Sequence, residues 1–412
     1  MRIVVESPPQ MIRTLLLVVL ALLFLNAIAA TGWLLSRYES HPDSNSQVVV
    51  VPAGSPISPA QASALSTELA AYRVQHGLPS LSVAVGMDDQ LAYSGAFGYA
   101  DLAAGLAATP DSLYRIGSVS KSITAVALGA LMESERINID LPFHHYVPEF
   151  PEKRWPFSLR QLASHTAGVR HYREGFFDSL AENFHGVHYD KVADALTLVA
   201  DDPLRFEPNS AYYYSSYGYN MLSAAMVNAG GEPFRAQLDR YVFTPAEMAR
   251  AHAEDVRNPD PASVAYYLLV DGRALRAPRA DNSYKVAGGG IVTTPGELVA
   301  FGNALLAGRL VDGATMTRLF TPHALKDGST EPQSYGLGFQ IWERQVDGAE
   351  YLEVGHGGSS VGGLTAFLMY PESGLVIAVT TNVSVVAGRA DPRKVARAIA
   401  DRLLPLLAEQ QT

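Results

Sequence analysis

Segments typical of β-strands lie at both ends of this 412-residue chain and enclose a long, loop-rich middle. Near one end, residues 81–85 and 91–95 are joined at Asp88-Asp89, which predicts a hairpin. Near the other end, strands are predicted at residues 336–342, 350–356, 364–370 and 375–380, followed by a helix after Asp391-Pro392. If strands from both ends share one sheet, the middle forms an inserted lobe. The sequence therefore predicts an α+β fold, with an antiparallel sheet formed by both ends, flanking helices and a mostly helical insertion.

A serine and a lysine, Ser118 and Lys121, stand three positions apart just after Gly117. The apolar run at residues 123–132 predicts a buried helix that begins beside them. Helix positions three apart share a face, so the lysine amine would lie beside the serine hydroxyl. A lysine whose pKa is lowered by burial can remove the hydroxyl proton, and free N–H groups at a helix start can stabilise an oxyanion. The alternative is a helix-capping serine followed by a solvated lysine, since this spacing is common by chance.

Composition narrows the possible functions. The formal net charge is −10 and the sequence has no block of Lys and Arg, which argues against nucleic acid as a partner. The chain has no cysteine, which excludes disulfides, thiolate catalysis and cysteine-ligated zinc. Hydrophobic residues make up 48% of the chain, enough for a sizeable core.

The N-terminal part predicts contact with a membrane. After a polar segment at residues 1–13, residues 14–35 carry no charge and are long enough to span a bilayer. The small residues at 27–29 also fit the cleavage site of a signal peptide, but apolar residues resume at Trp33, which favours an uncleaved anchor. Either interpretation places the rest of the chain outside the cytoplasm: an anchor keeps it in the cell envelope, whereas cleavage leaves it periplasmic or secreted. The Ser/Pro/Gly-rich residues 36–59 predict a tether, and residues 60–408 predict one large folded domain.

Three short motifs follow one another along the chain: Ser118-Val119-Ser120-Lys121, Tyr214-Ser215-Ser216 and His356-Gly357-Gly358. Their order resembles the serine beta-lactamase and penicillin-binding-protein superfamily. Residues 109–117 and 161–172 are similar to its class C branch, and most like the mitochondrial serine beta-lactamase-like proteins and their bacterial relatives. The resemblance covers about residues 60–404 and implies a serine hydrolase that works through an acyl-enzyme.

The resemblance also implies a role for each motif residue. Ser118 would attack a carbonyl carbon, while Lys121 and Tyr214 would share the work of the general base, with Lys121 holding the Tyr214 oxygen. The backbone N–H groups of Ser118 and Ser359 would form the oxyanion hole. The substrate, a small peptide or ester such as a peptidoglycan stem peptide, would be contacted by Ser216, His356, Gly357 and Gly358. No metal or organic cofactor is implied, and the oligomeric state is left open.

Two positions depart from the family pattern. Ser216 stands where the family usually has Asn, so a substrate amide would meet one short hydroxyl instead of a donor and an acceptor. His356 stands where the family has Lys, and a histidine near neutral pH is only partly charged. We therefore expect its attraction for a substrate carboxylate to be weaker and pH-dependent. Both changes resemble the mitochondrial-type and esterase-type branches and argue against efficient hydrolysis of beta-lactams.

A second nucleophile is suggested by residues 358–362, which match G-x-S-x-G around Ser360. That motif is a nucleophile elbow when a strand precedes it and a helix follows, whereas residues 364–370 predict another strand. A metal site is suggested by several histidines, but their spacing favours structural or loop positions, at His144, His145, His165 and His171.

A different class of function is a membrane-tethered binding or scaffold protein that keeps the fold and lacks activity. Such a protein has no physical need for Ser118, Lys121 and Tyr214 together, so their presence favours an enzyme.

Overall fold

The computed structural model describes residues 38–39, 46–173, 182, 186–330, 334–387 and 390–410. The membrane anchor predicted for residues 14–35 lies outside these residues. Over the part of the chain that is described, no helix has both the length and the apolar character needed to cross a bilayer.

Strands and helices alternate irregularly along the chain. The strands are β1 (Tyr38–Glu39), β2 (Gln47–Val50), β3 (Ser80–Met87), β4 (Gln90–Asp101), β5 (Leu106–Ala107), β6 (Tyr114–Arg115), β7 (His252–Ala253), β8 (Tyr267–Val270), β9 (Arg273–Arg276), β10 (Ile291–Thr293), β11 (Gln340–Val346), β12 (Ala349–Ser360), β13 (Gly363–Tyr370), β14 (Leu375–Thr381) and β15 (Val383–Ala387). The α-helices are α1 (Pro59–Gln75), α2 (Ser120–Glu133), α3 (Phe143–Tyr146), α4 (Leu159–Ala163), α5 (Ser216–Gly230), α6 (Phe234–Leu238), α7 (Val286–Gly289), α8 (Pro295–Leu306), α9 (Gly313–Phe320) and α10 (Pro392–Gln410).

The main sheet is antiparallel and joins the two ends of the chain. Its strand order is β11-β12-β13-β14-β3-β4-β2, with the short β5 paired to β4. The ends meet where β14 lies beside β3, with Val379 opposite Val83. The β3–β4 hairpin turns at Asp88 and Asp89, which both adopt positive φ angles, as a two-residue hairpin turn requires. This arrangement confirms the predicted fold class.

Two small sheets were not predicted. They have the orders β6-β10-β7 and β1-β9-β8-β15, and several of their strands come from the middle of the chain. These strands are only two to five residues long, so they carry little periodic signal. The strand predicted at residues 336–342 begins instead at Gln340.

The main sheet is buried on both faces. On β14, Val376 and Ala378 face one hydrophobic cluster, while Ile377 and Val379 face another, as the alternation of side chains along a strand requires. Helices α1 and α10 cover the second face, and α8 with the inserted helices covers the first. The molecule therefore has layers of helix, sheet and helix, and helix α2, which follows Ser118, lies in the larger helical layer.

The segment predicted as a tether is partly folded into the sheets. Residues 47–50 form the edge strand β2, in which Val49 lies opposite Gly95, and Tyr38–Glu39 pairs with β9. Consecutive valines favour strand structure, a signal that the surrounding Ser, Pro and Gly residues obscured. The folded part therefore begins before residue 60, and α1 itself begins at Pro59 behind a capping box formed by Ser58.

Candidate active site

Ser118 lies in a short 3₁₀ turn, Gly117–Val119, between β6 and α2. Gly117 has a φ angle of +52°, which glycine adopts without steric cost and which lets the chain turn sharply into the helix. The helix that follows is buried on almost every side, in agreement with its apolar sequence. Ser118 itself is only half-buried, in contrast to the residues on either side of it.

Lys121 is fully buried and its amine contacts three oxygen atoms. Lys121 Nζ lies 2.6 Å from the Gly288 carbonyl oxygen, 3.0 Å from Ser216 Oγ and 3.3 Å from Ser118 Oγ. Burial lowers the pKa of Lys121 well below its ordinary value, and the positive charge of Lys285 lowers it further. A neutral amine can donate its two N–H groups to Gly288 and Ser216 while its lone pair accepts the Ser118 proton. The site is thus arranged as a serine with its general base.

Tyr214 comes just before α5, and its hydroxyl is buried without a hydrogen-bond partner among the described residues. The amine of Lys121 lies over the Tyr214 ring, 4.7 Å from its centre, and not at the phenol oxygen. The prediction that Lys121 holds the Tyr214 oxygen is therefore wrong, because the three contacts of the amine are made elsewhere. Burial raises the pKa of Tyr214 well above its ordinary value, and the neighbouring Ser118 hydroxyl only partly opposes this. Tyr214 is consequently a neutral phenol at neutral pH, able to donate a proton.

Two histidines hold the start of α5 in place. His165 Nδ1 accepts the N–H of Ser215 at 3.2 Å, and His171 Nδ1 accepts the N–H of Ser216 at 3.1 Å. Burial, assisted by the charge of Lys121, lowers the pKa of His165 well below its ordinary value and that of His171 to about 3. Both rings are therefore neutral acceptors at neutral pH. The interpretation of these two histidines as structural is confirmed, and across the described residues no cluster of side chains is suited to a metal ion.

Ser216 is buried against Lys121, which differs from the predicted contact with substrate. Only 2% of the residue is exposed, and its hydroxyl lies 3.0 Å from the lysine amine. A short side chain at this position can reach the amine because Ser216 is the first residue of α5, directly beside the helix α2. Ser216 is therefore placed to hold the lysine amine, and its contact with a substrate stays a prediction.

His356 is buried and neutral. Its Nδ1 lies 2.6 Å from the Gly357 carbonyl oxygen, which can only accept, so Nδ1 carries the proton. Nε2 then accepts from the hydroxyl of Tyr335 at 3.0 Å. Burial, followed by the charge of Lys121, lowers the pKa of His356 to about 3. The expected partial charge near neutral pH is wrong, because the sequence could not show that the ring has lost its contact with water.

Strand β12 brings its backbone into contact with the Ser118 turn. A Cβ atom at Gly117 would lie 2.5 Å from the amide nitrogen of Ser359, and one at Gly358 would lie 1.9 Å from the carbonyl oxygen of Ile116. The Ser359 amide therefore lies beside Gly117, the residue that precedes Ser118. An oxyanion hole built from the N–H groups of Ser118 and Ser359 requires this closeness.

Gly357 and Gly358, which were predicted to contact the substrate, also pack against other parts of the protein. Gly358 has no side chain because the Ile116 carbonyl occupies that space. The open side of Gly357 faces the guanidinium of Arg393 on α10, where a Cβ would lie 2.7 Å from a terminal nitrogen. The two glycines thus set how closely β12 packs against its neighbours.

The secondary structure around Ser360 does not fit the G-x-S-x-G alternative. Ser360 ends strand β12, and β13 begins at Gly363, so the motif lies at a hairpin turn between two strands. A nucleophile elbow needs a helix after the serine. The Ser360 hydroxyl is also buried, with no hydrogen-bond partner in the described residues.

Two residues of the site were not predicted from the sequence, Tyr335 and Lys285. Neither belongs to a motif, and each reaches the site from a loop distant in the chain. A partial signal existed for Lys285, because glycines follow it at residues 288–290 and glycine permits a close approach of two backbone segments. The structure shows this approach: a Cβ at Gly288 would lie 3.0 Å from the Ser216 carbonyl oxygen, and one at Gly289 would lie 3.7 Å from the Gly117 carbonyl carbon.

Comparisons with known proteins agree with this geometry. The beta-lactamase family model matches residues 63–402. The mitochondrial serine beta-lactamase-like protein LACTB of Homo sapiens is 26% identical over 417 aligned positions, which cover 78% of this chain and 76% of that protein. The D-aminopeptidase of Brucella anthropi is 28% identical over 300 positions, which cover 72% of this chain and 55% of that protein.

Solved structures share the fold. The octameric penicillin-binding protein homologue from Pyrococcus abyssi superposes with a TM-score of 0.70 at 22% identity, over 83% of this chain and 77% of that one. The D-amino acid amidase from Ochrobactrum anthropi superposes with a TM-score of 0.67 at 22% identity, over 85% and 99% of the two chains.

Proposed function

This chain belongs to the beta-lactamase family and is a serine hydrolase, and we propose that it works through an acyl-enzyme formed on Ser118. The observation that carries the proposal is the buried amine of Lys121, 3.3 Å from Ser118 Oγ. Its pKa lies well below that of an ordinary lysine, so a neutral amine is available as a base at a pH where an exposed lysine is protonated.

Acylation begins with transfer of the Ser118 proton to the lone pair of Lys121. As the proton leaves, Ser118 Oγ attacks the substrate carbonyl carbon, and negative charge develops on the carbonyl oxygen. The N–H groups of Ser118 and Ser359 stabilise this oxyanion. Tyr214, a neutral phenol near Ser118, is suited to protonate the leaving group and then to recover the proton from Lys121. The products are a free amine or alcohol and an ester on Ser118.

Deacylation uses the same groups with water as the nucleophile. The base removes a proton from water, the oxyanion forms again between the two N–H groups, and Ser118 Oγ leaves and regains its proton. Release of the carboxylic acid product regenerates the resting arrangement, in which Lys121 is neutral and held by Gly288 and Ser216.

The substrates we propose are small peptides, amides or esters, including peptidoglycan stem peptides. The names of relatives support this choice: one is a D-aminopeptidase and another is a teichoic acid D-alanine hydrolase. The neutral His356 also supports it, since the permanent cation that the resemblance places there in relatives acting on beta-lactams is missing.

We place this activity in the cell envelope. The uncharged residues 14–35 support an uncleaved anchor that holds the catalytic domain outside the cytoplasm. Membrane fractionation of the full chain and of a form without residues 1–35 tests this directly. If the full chain is recovered in the soluble fraction with its N-terminus uncleaved, residues 14–35 are not an anchor.

Burst kinetics test the acyl-enzyme. With a reactive aryl ester we expect wild-type protein to release one equivalent of phenol before the steady state, because deacylation is the slower step. Lys121→Met removes the base and should abolish the burst while the protein still melts cooperatively. A steady-state turnover that Lys121→Met leaves unchanged would refute the proposed role of the lysine.

A further inference from the structure

A second lysine, Lys285, is buried beside the site and makes no ion pair within the part of the chain that the structure describes. The residue is 5% exposed. Its ammonium group makes no hydrogen bond or ion pair with any of the described residues. Two aromatic rings lie near the ammonium group, those of Tyr172 and Tyr284, whose centres are 5.3 and 5.2 Å from Nζ.

The side chain of Lys285 lies close to the turn Gly117–Val119 that contains Ser118. A Cβ atom built on Gly289 would lie 3.8 Å from Lys285 Cδ and 3.7 Å from the carbonyl carbon of Gly117, so both groups border the same point. Gly117 directly precedes Ser118. The charge of Lys285 is also close enough to lower the pKa of Lys121 and of His171, both of which belong to the site.

The other cations near the site already have partners or are neutral. Arg115 Nε lies 2.8 Å from a carboxylate oxygen of Glu254, and its remaining nitrogens donate to backbone carbonyls. Lys121 is held by three oxygens, and His356 is a neutral ring. Arg393, which faces Gly357, donates to the side-chain oxygen of Gln340. Lys285 is therefore the cation at this site that makes no hydrogen bond or ion pair with the described residues.

An unpaired buried ammonium group costs the fold free energy, because water solvates it better than aromatic rings do. A methionine or leucine of similar volume would avoid that cost. A costly charge placed within reach of a nucleophile is best explained by a negatively charged group that arrives with the substrate.

We propose that Lys285 binds an anionic group of the substrate, so that the preferred acyl donors carry a carboxylate close to the scissile bond. This inference rests on the proposed acyl transfer at Ser118 and adds the charge class of its substrate. Lys285 would make the contact with a substrate carboxylate that we expected from His356, and it lies on a different element of the fold.

The test compares aryl esters that bear a carboxylate, on the acyl group or on the leaving group, with their methyl esters. Wild-type kcat/KM should favour at least one carboxylate over its methyl ester by about tenfold or more, as a charge-assisted hydrogen bond in a buried site provides. Lys285→Met should remove that preference, and Lys285→Arg should keep most of it. The matched control Lys394→Met, at an exposed lysine of α10, should keep it fully.

The pH dependence gives a second readout. Burial, together with the charge of Arg115, lowers the pKa of Lys285 to about 8, against the opposite effect of Glu254. The carboxylate preference should therefore be constant through neutral pH and decline as pH rises through about 8. The groups that face Lys285 are Arg115 on β6, Glu254 after β7, Lys121 on α2, and His171, Tyr172 and Tyr284 on the adjoining loops.

Each outcome separates this inference from the proposed function. If a fluorophosphonate labels wild-type protein at Ser118 but no carboxylate is preferred, the inference is wrong while the acyl-enzyme stands. A preference that survives in Lys285→Met would also overturn it. If Lys285→Met lowers activity on both members of a pair equally, Lys285 acts only through the pKa of Lys121, and the inference fails. Lys285→Met should melt at the same or a higher temperature, so loss of folding cannot mimic loss of binding.

Discussion

The tight packing of β12 against the nucleophile turn makes Gly358→Ala the most informative perturbation. The new Cβ would lie 1.9 Å from the Ile116 carbonyl oxygen, whereas ordinary contact begins near 3.4 Å. Both partners are backbone, so neither can rotate away, and the strand must separate from the turn by about 1.5 Å. The Ser359 amide moves with the strand and leaves the oxyanion hole.

The expected loss of activity follows from that displacement. A misplacement of about 1 Å in a catalytic site costs roughly a hundredfold in rate, so we expect kcat/KM of Gly358→Ala to fall by about a hundredfold or more. Overpacking a well-filled site costs about 1–3 kcal/mol of stability, which the domain should survive. Steady-state hydrolysis of an aryl ester and a thermal melt measure the two effects.

The control is Gly313→Ala, at the start of α9, where a Cβ would have no neighbour within 4 Å. It adds the same methyl group and should leave both the rate and the melt unchanged. If folded Gly358→Ala keeps a kcat/KM within about twofold of wild type, the Ser359 amide does not stabilise the oxyanion and the assignment of the hole is wrong.

Two other predictions concern single side chains. Ser216→Ala removes one hydrogen bond from the Lys121 amine and should lower kcat about fivefold to tenfold. The control Ser223→Ala removes a buried hydroxyl from the same helix, away from the lysine, and should leave kcat unchanged. Equal kcat values for the two variants would argue against a positioning role for Ser216. Glu353→Gln breaks the ion pair between a fully buried carboxylate and Arg397, and should lower the free energy of unfolding in urea by about 3 kcal/mol. The control Glu68→Gln breaks the exposed pair with Arg402 and should lower it by less than about 1 kcal/mol. Similar losses in the two variants would show that the burial of Glu353 does not matter.

Long periodic segments were predictable from the sequence, and short ones were not. The strands of the β3–β4 hairpin and of β13 and β14 extend over seven or more residues, enough for the apolar pattern to identify them. The buried helix after Ser118 was equally clear. Edge strand β2 and the two small sheets depend on pairing partners far away in the chain, and a four-residue segment cannot reveal its partner.

The identities of the site residues were predictable because the chemistry restricts residue type and spacing. Their electrostatic states were not. Whether His356 is charged depends on its burial and on the distance to Lys121, both of which arise only when β12 packs beside α2. The same holds for Lys285, which no motif includes and which becomes conspicuous only as a buried charge with no ion pair among the described residues.

The central claim is that Ser118 is the nucleophile, and peptide mapping of a fluorophosphonate adduct tests it most directly. The folded protein is labelled, digested and examined by mass spectrometry, with Ser118→Ala treated in parallel. We predict one adduct, on the peptide that contains Ser118, and none on Ser118→Ala, whose melting temperature should stay close to that of wild type. An adduct on Ser360, or labelling that persists in Ser118→Ala, would contradict the account.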